Sequence, residues 1–464
     1  MNTDSTICAI STAAGTGGIA VIRVSGKDAI DITSKVWQGK PIGQMPSHTA
    51  HLGRIVGPDG YVVDEVVLTL FRSPRSFTGD DTIEISCHGS VWIQQQIINL
   101  LISAGCRMAT GGEFTQRAFL NGRLDLSQAE AIADLIASSS QAAHRIAFSQ
   151  MRGQFSHRLA QLREQLLEFV SLMELELDFS EEEVEFADRS RLLALATDIH
   201  TEISRLEQSF AVGNAIKNGI PVAIVGETNV GKSTLLNTLL HDDRALVSDI
   251  HGTTRDVIED TIVIAGTLFR LIDTAGIRTT SDVVESMGIE RTFRKLDQAS
   301  IVLWLIDATA PTDDIHTTFT RIANATADTT RIVPIINKAD LATANQLTAA
   351  ADAIASHLPQ AQSLQISAKS AIGIDTLQQR ICALAALPQN DANEVIVTNA
   401  RHYAALRSAR QAIERAIDGL RNGLSGDFVS QDIRETMHYL GEITGEITPN
   451  DILGTIFSHF CIGK

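Results

Sequence analysis

The spacing of apolar residues changes three times along the chain, and the changes divide the sequence into four parts. Residues 1–118 contain apolar runs of β type at 18–24, 62–71 and 82–86 and a helical segment at 92–102, which predicts an α/β domain. Residues 119–215 and 387–464 carry apolar side chains three and four positions apart, the spacing of helices that bury one face, and the clearest examples are 129–136 and 159–177. Residues 216–386 alternate apolar runs with helical stretches, which predicts an α/β unit with a parallel sheet.

The two helical parts lie on either side of the α/β unit. Neither part is obviously able to form a core alone, so we expect the two to pack together as one discontinuous helical domain with the α/β unit inserted. The predicted fold class is therefore multidomain α/β plus α. A length of 464 residues agrees with about three domains.

A loop at 226–233, with the sequence GETNVGKS, follows the apolar run 222–225 and opens into a helical stretch. Strand, loop and helix in this order are what a phosphate-binding P-loop requires. The glycines allow backbone N–H groups to surround a phosphate, Lys232 reaches the β- and γ-phosphates, and the Ser233 hydroxyl is a ligand for Mg²⁺. The loop therefore predicts a nucleoside triphosphate site.

Four further motifs follow in the order of a GTPase. GTTRD at 252–256 offers a threonine for Mg²⁺, and DTAG at 273–276 offers a carboxylate for Mg²⁺ through water and a glycine amide for the γ-phosphate. The Asp340 carboxylate of NKAD at 337–340 can accept both N–H donors on a guanine edge, which adenine lacks. SAK at 367–369 supplies a backbone contact to the guanine O6. Together with the P-loop, these motifs predict a GTPase domain.

Composition indicates the cellular compartment in which the protein is expected. The chain has 55 acidic and 38 basic residues, a formal net charge of −17. No apolar run reaches the roughly 18 residues that span a membrane, and the N-terminus lacks the pattern of a signal peptide. No CxxC pair occurs among the five cysteines, which argues against zinc and disulfides and for a reducing compartment. We expect a soluble cytoplasmic protein without membrane contact.

Four segments outside the GTPase motifs carry a family resemblance: FTGDD at 77–81, GGEFTQRAF at 111–119, LDLSQAEA at 124–131 and FCIGK at 460–464. With the GTPase motifs, they resemble the bacterial and organellar MnmE (TrmE) family of tRNA-modification GTPases over essentially the full length. The resemblance implies an N-terminal folate-binding domain through which two copies form a homodimer. It also implies a discontinuous helical domain into which a Ras-like P-loop GTPase domain is inserted.

The resemblance further implies a reaction and a partner. Members of the family form a heterotetramer with the flavoprotein MnmG. Together they install an aminomethyl or carboxymethylaminomethyl group at C5 of the wobble uridine, position 34, of certain tRNAs. The one-carbon unit implied is 5-formyl- or 5,10-methylene-tetrahydrofolate. We therefore expect GTP, Mg²⁺, K⁺ and a reduced folate as ligands.

The resemblance also implies which residues of this chain contact the nucleotide and the metal ions, by their positions in the matched motifs. Ser233 and Thr254 are expected to hold Mg²⁺. K⁺ is expected at Asn229, Ser248, Ile250 and Thr253. The expected GTP-binding residues are Asn229, Val230, Gly231, Lys232, Ser233, Thr234, Ser248, Asp249, Ile250, His251, Gly252, Thr253, Thr254, Asp273, Thr274, Ala275, Gly276, Asn337, Lys338, Asp340, Ser367, Ala368 and Lys369.

The residue after DTAG bears on how hydrolysis is catalysed. Ile277 stands where Ras-like enzymes have the glutamine that orients the attacking water, and an aliphatic side chain cannot orient water. The resemblance implies that Glu285 positions the water instead. No arginine finger is evident either, and the resemblance implies that K⁺ takes over its electrostatic role when two GTPase domains dimerise.

A folate site is implied by the resemblance at Arg23, Glu84, Arg123 and Lys464. Arg123 departs from the family members compared, which have lysine there, and a planar guanidinium changes the contact geometry. Each of the four, taken alone, also fits an ordinary surface charge. Cys461 fits a small buried residue and, by the resemblance, a functional thiol beside the folate.

Two function classes stay open at this point: a GTPase that drives a tRNA-modifying complex, and a GTP-dependent switch in ribosome assembly. The FCIGK and GGEFTQRAF segments favour the first, because assembly GTPases typically append RNA-binding modules. Binding to RNA phosphates requires lysine and arginine clusters. None stands out here, so we expect the partner protein to hold much of the tRNA.

Overall fold

The computed structural model describes residues 5–178, 189–242, 260–272, 296, 299–325, 331–385, 395–447, 453, 456–457, 460 and 463. The chain divides into two compact units. The first unit contains Met1–Ile136, Phe148–His200 and Ser408–Lys464, and the second contains Ala137–Ala147 and Thr201–Arg407. Among the described residues, each unit contains one β-sheet.

A seven-stranded sheet forms the centre of the first unit. Its strands are β1 Ile7–Ile10, β2 Gly17–Ser25, β3 Trp37–Gln38, β4 Thr49–Val56, β5 Val62–Phe71, β6 Thr82–Gly89 and β7 Arg107–Met108. They lie in the order β3-β4-β5-β6-β2-β1-β7, and only β1 and β7 run parallel. The apolar runs predicted at 18–24, 62–71 and 82–86 are strands β2, β5 and β6, which confirms these predictions.

Two helices, α1 Ala29–Ser34 and α2 Val91–Ala104, pack against this sheet. Ile97 and Leu101 of α2 lie in the same buried cluster as Ile85 of β6. The apolar residues of α2 are therefore spaced to meet the sheet with one face. The helix predicted at 92–102 is confirmed.

The remaining described helices are α3 Glu113–Leu120, α4 Leu126–Ala137, α5 Gln141–Met151, α6 Gln154–Asp178, α7 Arg189–Asn218, α8 Lys232–Asp242, α9 Thr312–Ala325, α10 Ala344–His357, α11 Ile374–Leu384, α12 Ala400–Arg421 and α13 Gly426–Thr444. The segments predicted as helical at 129–136 and 159–177 fall inside α4 and α6. Within the described residues, every helix is too short or too polar to cross a membrane.

Helices from both ends of the chain meet in the first unit. Helix α6 packs along α13, and an ion pair joins Arg163 of α6 to Glu446, just after α13. Leu126, Phe457 and their neighbours form a small apolar cluster between α4 and the C-terminal segment. These contacts agree with the prediction that the helical parts before and after the α/β unit pack together in one core. The domain bounds at 118, 215 and 386 stay predictions.

A six-stranded sheet forms the centre of the second unit. Its strands are β8 Ile220–Val225, β9 Asp260–Ile264, β10 Thr267–Ile272, β11 Ile301–Asp307, β12 Arg331–Asn337 and β13 Leu364–Gln365. They lie in the order β13-β12-β11-β8-β10-β9, with β9 and β10 antiparallel and all other neighbours parallel. The sheet buries both faces, because side chains of β11 alternate between two apolar clusters. This is why its strands are continuous apolar runs.

Candidate functional site

The P-loop joins the end of β8 to the start of α8, as the sequence predicts. A Cβ atom on Gly226 would lie 2.4 Å from the Leu305 carbonyl oxygen, so only glycine lets the loop pass β11 this closely. Gly231 has a φ of +97°, and a Cβ there would lie 2.4 Å from Asn337 Nδ2. Both glycines are therefore required by the neighbours of the loop as well as by its turn.

Lys232 and Asn229 have different roles in the shape of the loop. Lys232 Nζ donates hydrogen bonds to the carbonyl oxygens of Gly226, at 3.0 Å, and Glu227, at 2.7 Å, which directs the ammonium across the loop. Asn229 has a φ of +57°, and its side chain is exposed. Asparagine tolerates this left-handed conformation better than most residues. Its amide is thus presented at the mouth of the loop.

Asn337 connects three of the predicted motifs. Its side chain is buried, and its Nδ2 donates to the Val230 carbonyl oxygen at 2.7 Å. Its Oδ1 accepts a hydrogen bond from the Ala368 N–H at 3.0 Å. The amide therefore ties the P-loop to the NKAD and SAK loops. Thr238 of α8 adds a further tie, because its hydroxyl donates to the Ala368 carbonyl oxygen at 2.9 Å.

The NKAD loop also contains an ion pair. Lys338 Nζ lies 2.6 Å from Asp307 Oδ2, at the end of the neighbouring strand β11. Burial would raise the pKa of Asp307, but hydrogen bonds from Lys338 and Thr309 outweigh it and hold that pKa below its ordinary value. The charged pair fixes the loop while the Asp340 side chain is exposed. Asp340 is thus free to face a ligand.

The three motifs meet at one edge of the sheet, because they follow the carboxyl ends of the parallel strands β8, β12 and β13. Ligands of such sheets bind at this edge. The structure thus places together the predicted residues 229–234, Asn337, Lys338, Asp340, Ser367, Ala368 and Lys369. The predicted residues Ser248, Asp249, Ile250, His251, Gly252, Thr253, Thr254, Asp273, Thr274, Ala275, Gly276 and Glu285 lie outside the described residues.

A cavity of about 230 Å³ beside the P-loop was not predicted. It lies between the P-loop, the end of β11 and helix α9, and its walls include Glu227, Asp307 and Asp314. The Thr318 hydroxyl donates to Glu227 Oε1 at 2.7 Å, so α9 holds the second residue of the P-loop. The sequence offered no sign of this link, since 227 and 318 are far apart in the chain.

In the first unit, two predicted folate residues lie together. Arg23 of β2 is the register partner of Glu84 of β6, and Arg23 Nη2 and Nε lie 2.7 and 3.0 Å from Glu84 Oε1. The guanidinium carbon is 5.4 Å from the ring centroid of Phe77 and 5.6 Å from that of Phe114. This arrangement, here called the Arg23 pocket, combines one ion pair with two aromatic rings.

The FTGDD segment lines the same region. The Thr78 hydroxyl lies 2.7 Å from that of Ser25, and Asn121 Nδ2 donates to the Thr78 carbonyl oxygen at 2.8 Å. Burial is the main reason that the pKa of Asp80 lies above its ordinary value. The Arg123 side chain passes beside Gly79, where an added Cβ would meet it at 3.3 Å. The turn therefore brings Arg123 to the segment that contacts Arg23.

The C-terminal segment reaches the same sheet. The Ser11 hydroxyl donates to the Gly463 carbonyl oxygen at 3.1 Å, and a Cβ on Gly463 would lie 2.3 Å from the Ile10 carbonyl oxygen. The residue before Lys464 is thus held at the end of β1. Lys464 itself and Cys461 lie outside the described residues.

The GGEFTQRAF segment contains a buried carboxylate that sequence reasoning did not assign. Glu113 is 7% exposed and accepts hydrogen bonds from Arg107, Arg117 and the Thr110 N–H. Burial would raise the pKa of Glu113, but these bonds outweigh it and lower the pKa to about 2. Arg117 also donates to the Ser5 carbonyl oxygen at 2.7 Å. In the sequence, the i, i+4 spacing of Glu113 and Arg117 is the feature that could have indicated this ion pair.

Comparison with known proteins covers almost the whole chain. The family model described as MnmE helical domain matches residues 126–461, and the one described as GTP-binding protein TrmE N-terminus matches residues 6–123. The chain is 56% identical to the tRNA modification GTPase MnmE of Parabacteroides distasonis over 99% of this chain and 100% of that protein. The same-named proteins of Bacteroides fragilis and Flavobacterium johnsoniae are 56% and 51% identical over 100% of both chains.

Proposed function

This chain belongs to the family of the tRNA modification GTPase MnmE and is a GTP hydrolase; from that premise we propose that it acts on tRNA together with the flavoprotein MnmG. The proposed product carries an aminomethyl or carboxymethylaminomethyl group at C5 of wobble uridine 34. GTP hydrolysis drives the complex. The observation that carries the proposal is the convergence of the P-loop, NKAD and SAK loops on Asn337 in one unit, with the Arg23 pocket in the other.

The nucleotide site supports GTP in particular. Lys232 and the N-terminus of α8 face the phosphates, where backbone N–H groups and a positive helix end favour anions. The exposed Asp340 carboxylate accepts from the guanine edge, while Asn337 keeps the NKAD and SAK loops together. Ser233, half-buried in the first turn of α8, fits an oxygen ligand of Mg²⁺, and Thr254 supplies a second.

We assign the acceleration of hydrolysis to two groups. Glu285 holds the attacking water in line with the γ-phosphate, because Ile277 cannot. Asn229, Ser248, Ile250 and Thr253 would hold K⁺ through oxygen atoms when two GTPase domains meet, and K⁺ bound there would supply positive charge next to the phosphates. The left-handed, exposed Asn229 supports this assignment, because its amide is available at the mouth of the loop.

The K⁺ assignment has a direct test. GTP turnover should be at least tenfold faster in K⁺ than in Na⁺ at the same ionic strength, with both rates measured by phosphate release. Asn229→Ala should bring the two rates together and leave GTP affinity near wild type. Equal wild-type rates in the two salts would contradict the K⁺ site and require a positive side chain in its place.

In the first unit we propose a site for 5-formyl- or 5,10-methylene-tetrahydrofolate at Arg23, Glu84, Arg123 and Lys464. The half-buried Phe77 ring beside Arg23 supports it, since a flat heterocycle stacks on aromatic and guanidinium faces. The hydrogen bond from Ser11 to Gly463 supports it too, because it holds the residue before Lys464 at the end of β1. Cys461 is a candidate thiol for this region.

The proposed assembly is a homodimer through the N-terminal domain that joins MnmG in a heterotetramer, in the cytoplasm. The deciding experiment uses a bacterial strain that lacks its own copy of this protein. We expect its tRNA to lack the C5 group at uridine 34, as measured by mass spectrometry of tRNA nucleosides. The wild-type chain should restore the group, and Asp340→Asn, which weakens guanine binding, should not.

A strain whose uridine 34 remains fully modified would overturn the proposal. If that strain instead accumulated incomplete ribosomal subunits, the chain would act as an assembly switch.

A further inference from the structure

The second residue of the P-loop is a glutamate, and a negative charge is unfavourable in a loop that binds phosphate. The backbone carbonyl oxygen of Glu227 accepts a hydrogen bond from Lys232 Nζ at 2.7 Å. Lys232 is the residue that the P-loop motif directs to the β- and γ-phosphates. A carboxylate attached this close to the phosphate site repels a bound nucleotide unless its side chain is held elsewhere.

Helix α9 holds the Glu227 side chain on its own side of the loop. The Thr318 hydroxyl donates to Glu227 Oε1 at 2.7 Å, and Arg321 Nη1 lies 3.9 Å from the same oxygen. The side chains of Arg321 and Glu227 are both partly exposed, and an ion pair of this length between them contributes little. The hydrogen bond from Thr318 is therefore the contact that fixes the carboxylate.

Thr318 is a polar residue on the apolar face of α9. Ile315, Thr318 and Ile322 are buried, and their spacing places them on one face of the helix. The two isoleucines lie in the same apolar cluster as Trp304 of β11, which fixes the helix against the sheet. A hydroxyl buried at such a position is costly unless it is hydrogen-bonded. Glu227 satisfies it, so the threonine serves the P-loop as well as the packing of α9.

Two neighbouring threonines of α9 use their hydroxyls differently. Thr317 donates to the Asp313 carbonyl oxygen at 3.2 Å, and Thr320 donates to the His316 carbonyl oxygen at 2.9 Å. Both bonds run to the preceding turn of the same helix, a common arrangement for helical threonine. The Thr318 hydroxyl instead leaves the helix for a residue 91 positions earlier in the chain. This difference provides a control within the same helix.

We propose that Thr318 is a positioning residue for GTP binding, because it holds the Glu227 carboxylate against α9 and keeps its negative charge away from the triphosphate. Without this hydrogen bond, the glutamate side chain rotates freely and reaches the Lys232 ammonium. There the carboxylate competes with phosphate for Lys232 and repels the nucleotide. The penalty grows with the charge of the ligand, so GTP loses more affinity than GDP.

The test measures binding of GDP and of a non-hydrolysable GTP analogue to the full-length chain by isothermal titration. Thr318→Val removes the hydroxyl at nearly the same size and should weaken the analogue about tenfold but GDP only about threefold, because GDP carries less charge. Higher salt should reduce both losses, since charges that water reaches are screened. Thr318→Ser, which keeps the hydroxyl, should bind both nucleotides like wild type.

Neutralising Glu227 distinguishes positioning from packing. In Glu227→Gln the side-chain oxygen still accepts from Thr318, and the variant should bind the GTP analogue at least as well as wild type. Combined with Thr318→Val, it should restore the affinity to within about twofold of wild type, because no charge remains to repel the phosphates. Loss of packing alone would not be rescued in this way.

Two shorter side chains at position 227 test the same inference without a change in α9. Aspartate and asparagine are one methylene shorter than glutamate and do not reach Thr318. Glu227→Asp should weaken the GTP analogue as Thr318→Val does, whereas Glu227→Asn should not. Thr320→Val is the matched control, since Thr320 is exposed and its hydroxyl binds its own helix, and both affinities should stay at the wild-type value.

Three results would overturn this inference. The first is a Thr318→Val variant that loses no affinity or loses it equally for GDP and the GTP analogue. The second is failure of Glu227→Gln to restore binding in the double variant, which would assign Thr318 to packing alone. The third is equal affinity of Glu227→Asp and Glu227→Asn for the analogue, which decides the matter even if Thr318→Val does not fold. The proposed modification of tRNA is tested separately in the deletion strain and survives all three.

Discussion

The nucleotide site of the second unit and the Arg23 pocket of the first unit are held in different ways. Loops at the ends of parallel strands form the nucleotide site, and glycines that no other residue could replace, together with the buried Asn337 amide, fix them. Charged side chains of neighbouring antiparallel strands form the Arg23 pocket. The residues of the nucleotide site lie in short contiguous motifs of the sequence. The residues of the Arg23 pocket come together only through the pairing of strands.

Because the two sites are built from different elements, each is expected to bind its own ligand independently of the other. A change in the nucleotide site should alter GTP binding or hydrolysis and leave folate binding intact, and a change in the Arg23 pocket should do the reverse. Measuring both ligands on each variant therefore tests whether the two sites are independent.

The largest effect is expected from Asn337→Ala. The change removes two buried hydrogen bonds and leaves the Val230 carbonyl and the Ala368 N–H without a partner. At about 1–3 kcal/mol for each unsatisfied group, the two together amount to about 2–6 kcal/mol, and GTP affinity should fall by roughly one and a half to four decades. Asn337→Asp keeps the acceptor for Ala368 but places a buried carboxylate oxygen against the Val230 carbonyl oxygen, so its loss should be comparable. Isothermal titration with GDP measures both, and a near-normal affinity for Asn337→Ala would show that the loops are held by other contacts.

The second-largest effect is expected from Glu285→Ala. It should slow GTP turnover by about a thousandfold, within the range expected for loss of a catalytic acid or base. Its GTP and folate affinities should stay near wild type, because a water-positioning group acts mainly in the transition state. Phosphate release measured in a single turnover distinguishes the rate of GTP hydrolysis from the rate of product release. If turnover were normal, Glu285 would have no part in hydrolysis.

Acid should affect the first unit through Glu113. Its pKa is about 2 in the folded protein against an ordinary value of 4.5, so its contribution is complete above pH 4.5 and is lost as the pH falls towards 2. The contribution is on the order of 3 kcal/mol. Glu113→Gln should destabilise the first unit at pH 7 and remove this part of the pH dependence. Hydrogen exchange of the first unit between pH 3 and 7 measures it.

The exposed Glu65, paired with Arg54 at 3.4 Å, supplies the control for that experiment. Glu65→Gln should change stability little, because exposed ion pairs contribute little. Equal pH profiles for wild type and Glu113→Gln would contradict the assigned role of Glu113.

The smallest effect is expected from Lys464→Ala. Loss of one charge-assisted hydrogen bond is worth about 1.5–3 kcal/mol, or roughly one to two decades in affinity for a reduced folate. GTP turnover should be nearly unchanged. Calorimetry with 5-formyl-tetrahydrofolate on the two proteins measures the difference, and identical affinities would remove Lys464 from the proposed folate site.

The sequence predicted the elements whose signal is local. Strands β2, β5 and β6, helix α2 and the P-loop have long apolar runs or a fixed motif, and the structure confirms them. The two-residue strands β3 and β7 are too short for any periodicity and could not be found this way. Their positions depend on neighbours distant in the chain.

Tertiary contacts explain what the sequence could not predict of the sites. The Asn337 side chain belongs to a recognised motif, but its bonds to Val230 and Ala368 join segments that only the folded sheet brings together. Spacing along the chain does not contain that information.

The hydrogen bond from Ser11 to Gly463 bears on how the protein is made. These residues are 452 positions apart, and a ribosome adds about 5–20 residues per second. The last strand of the first unit's sheet ends at Met108, 355 positions before Gly463, so the complete sheet exists for roughly 18 to 70 s before the segment that covers Gly112 and the end of β1 leaves the ribosome. During that time the second unit can complete its fold, whereas the first exposes an unfinished apolar surface, which makes the nascent chain a candidate client for chaperones.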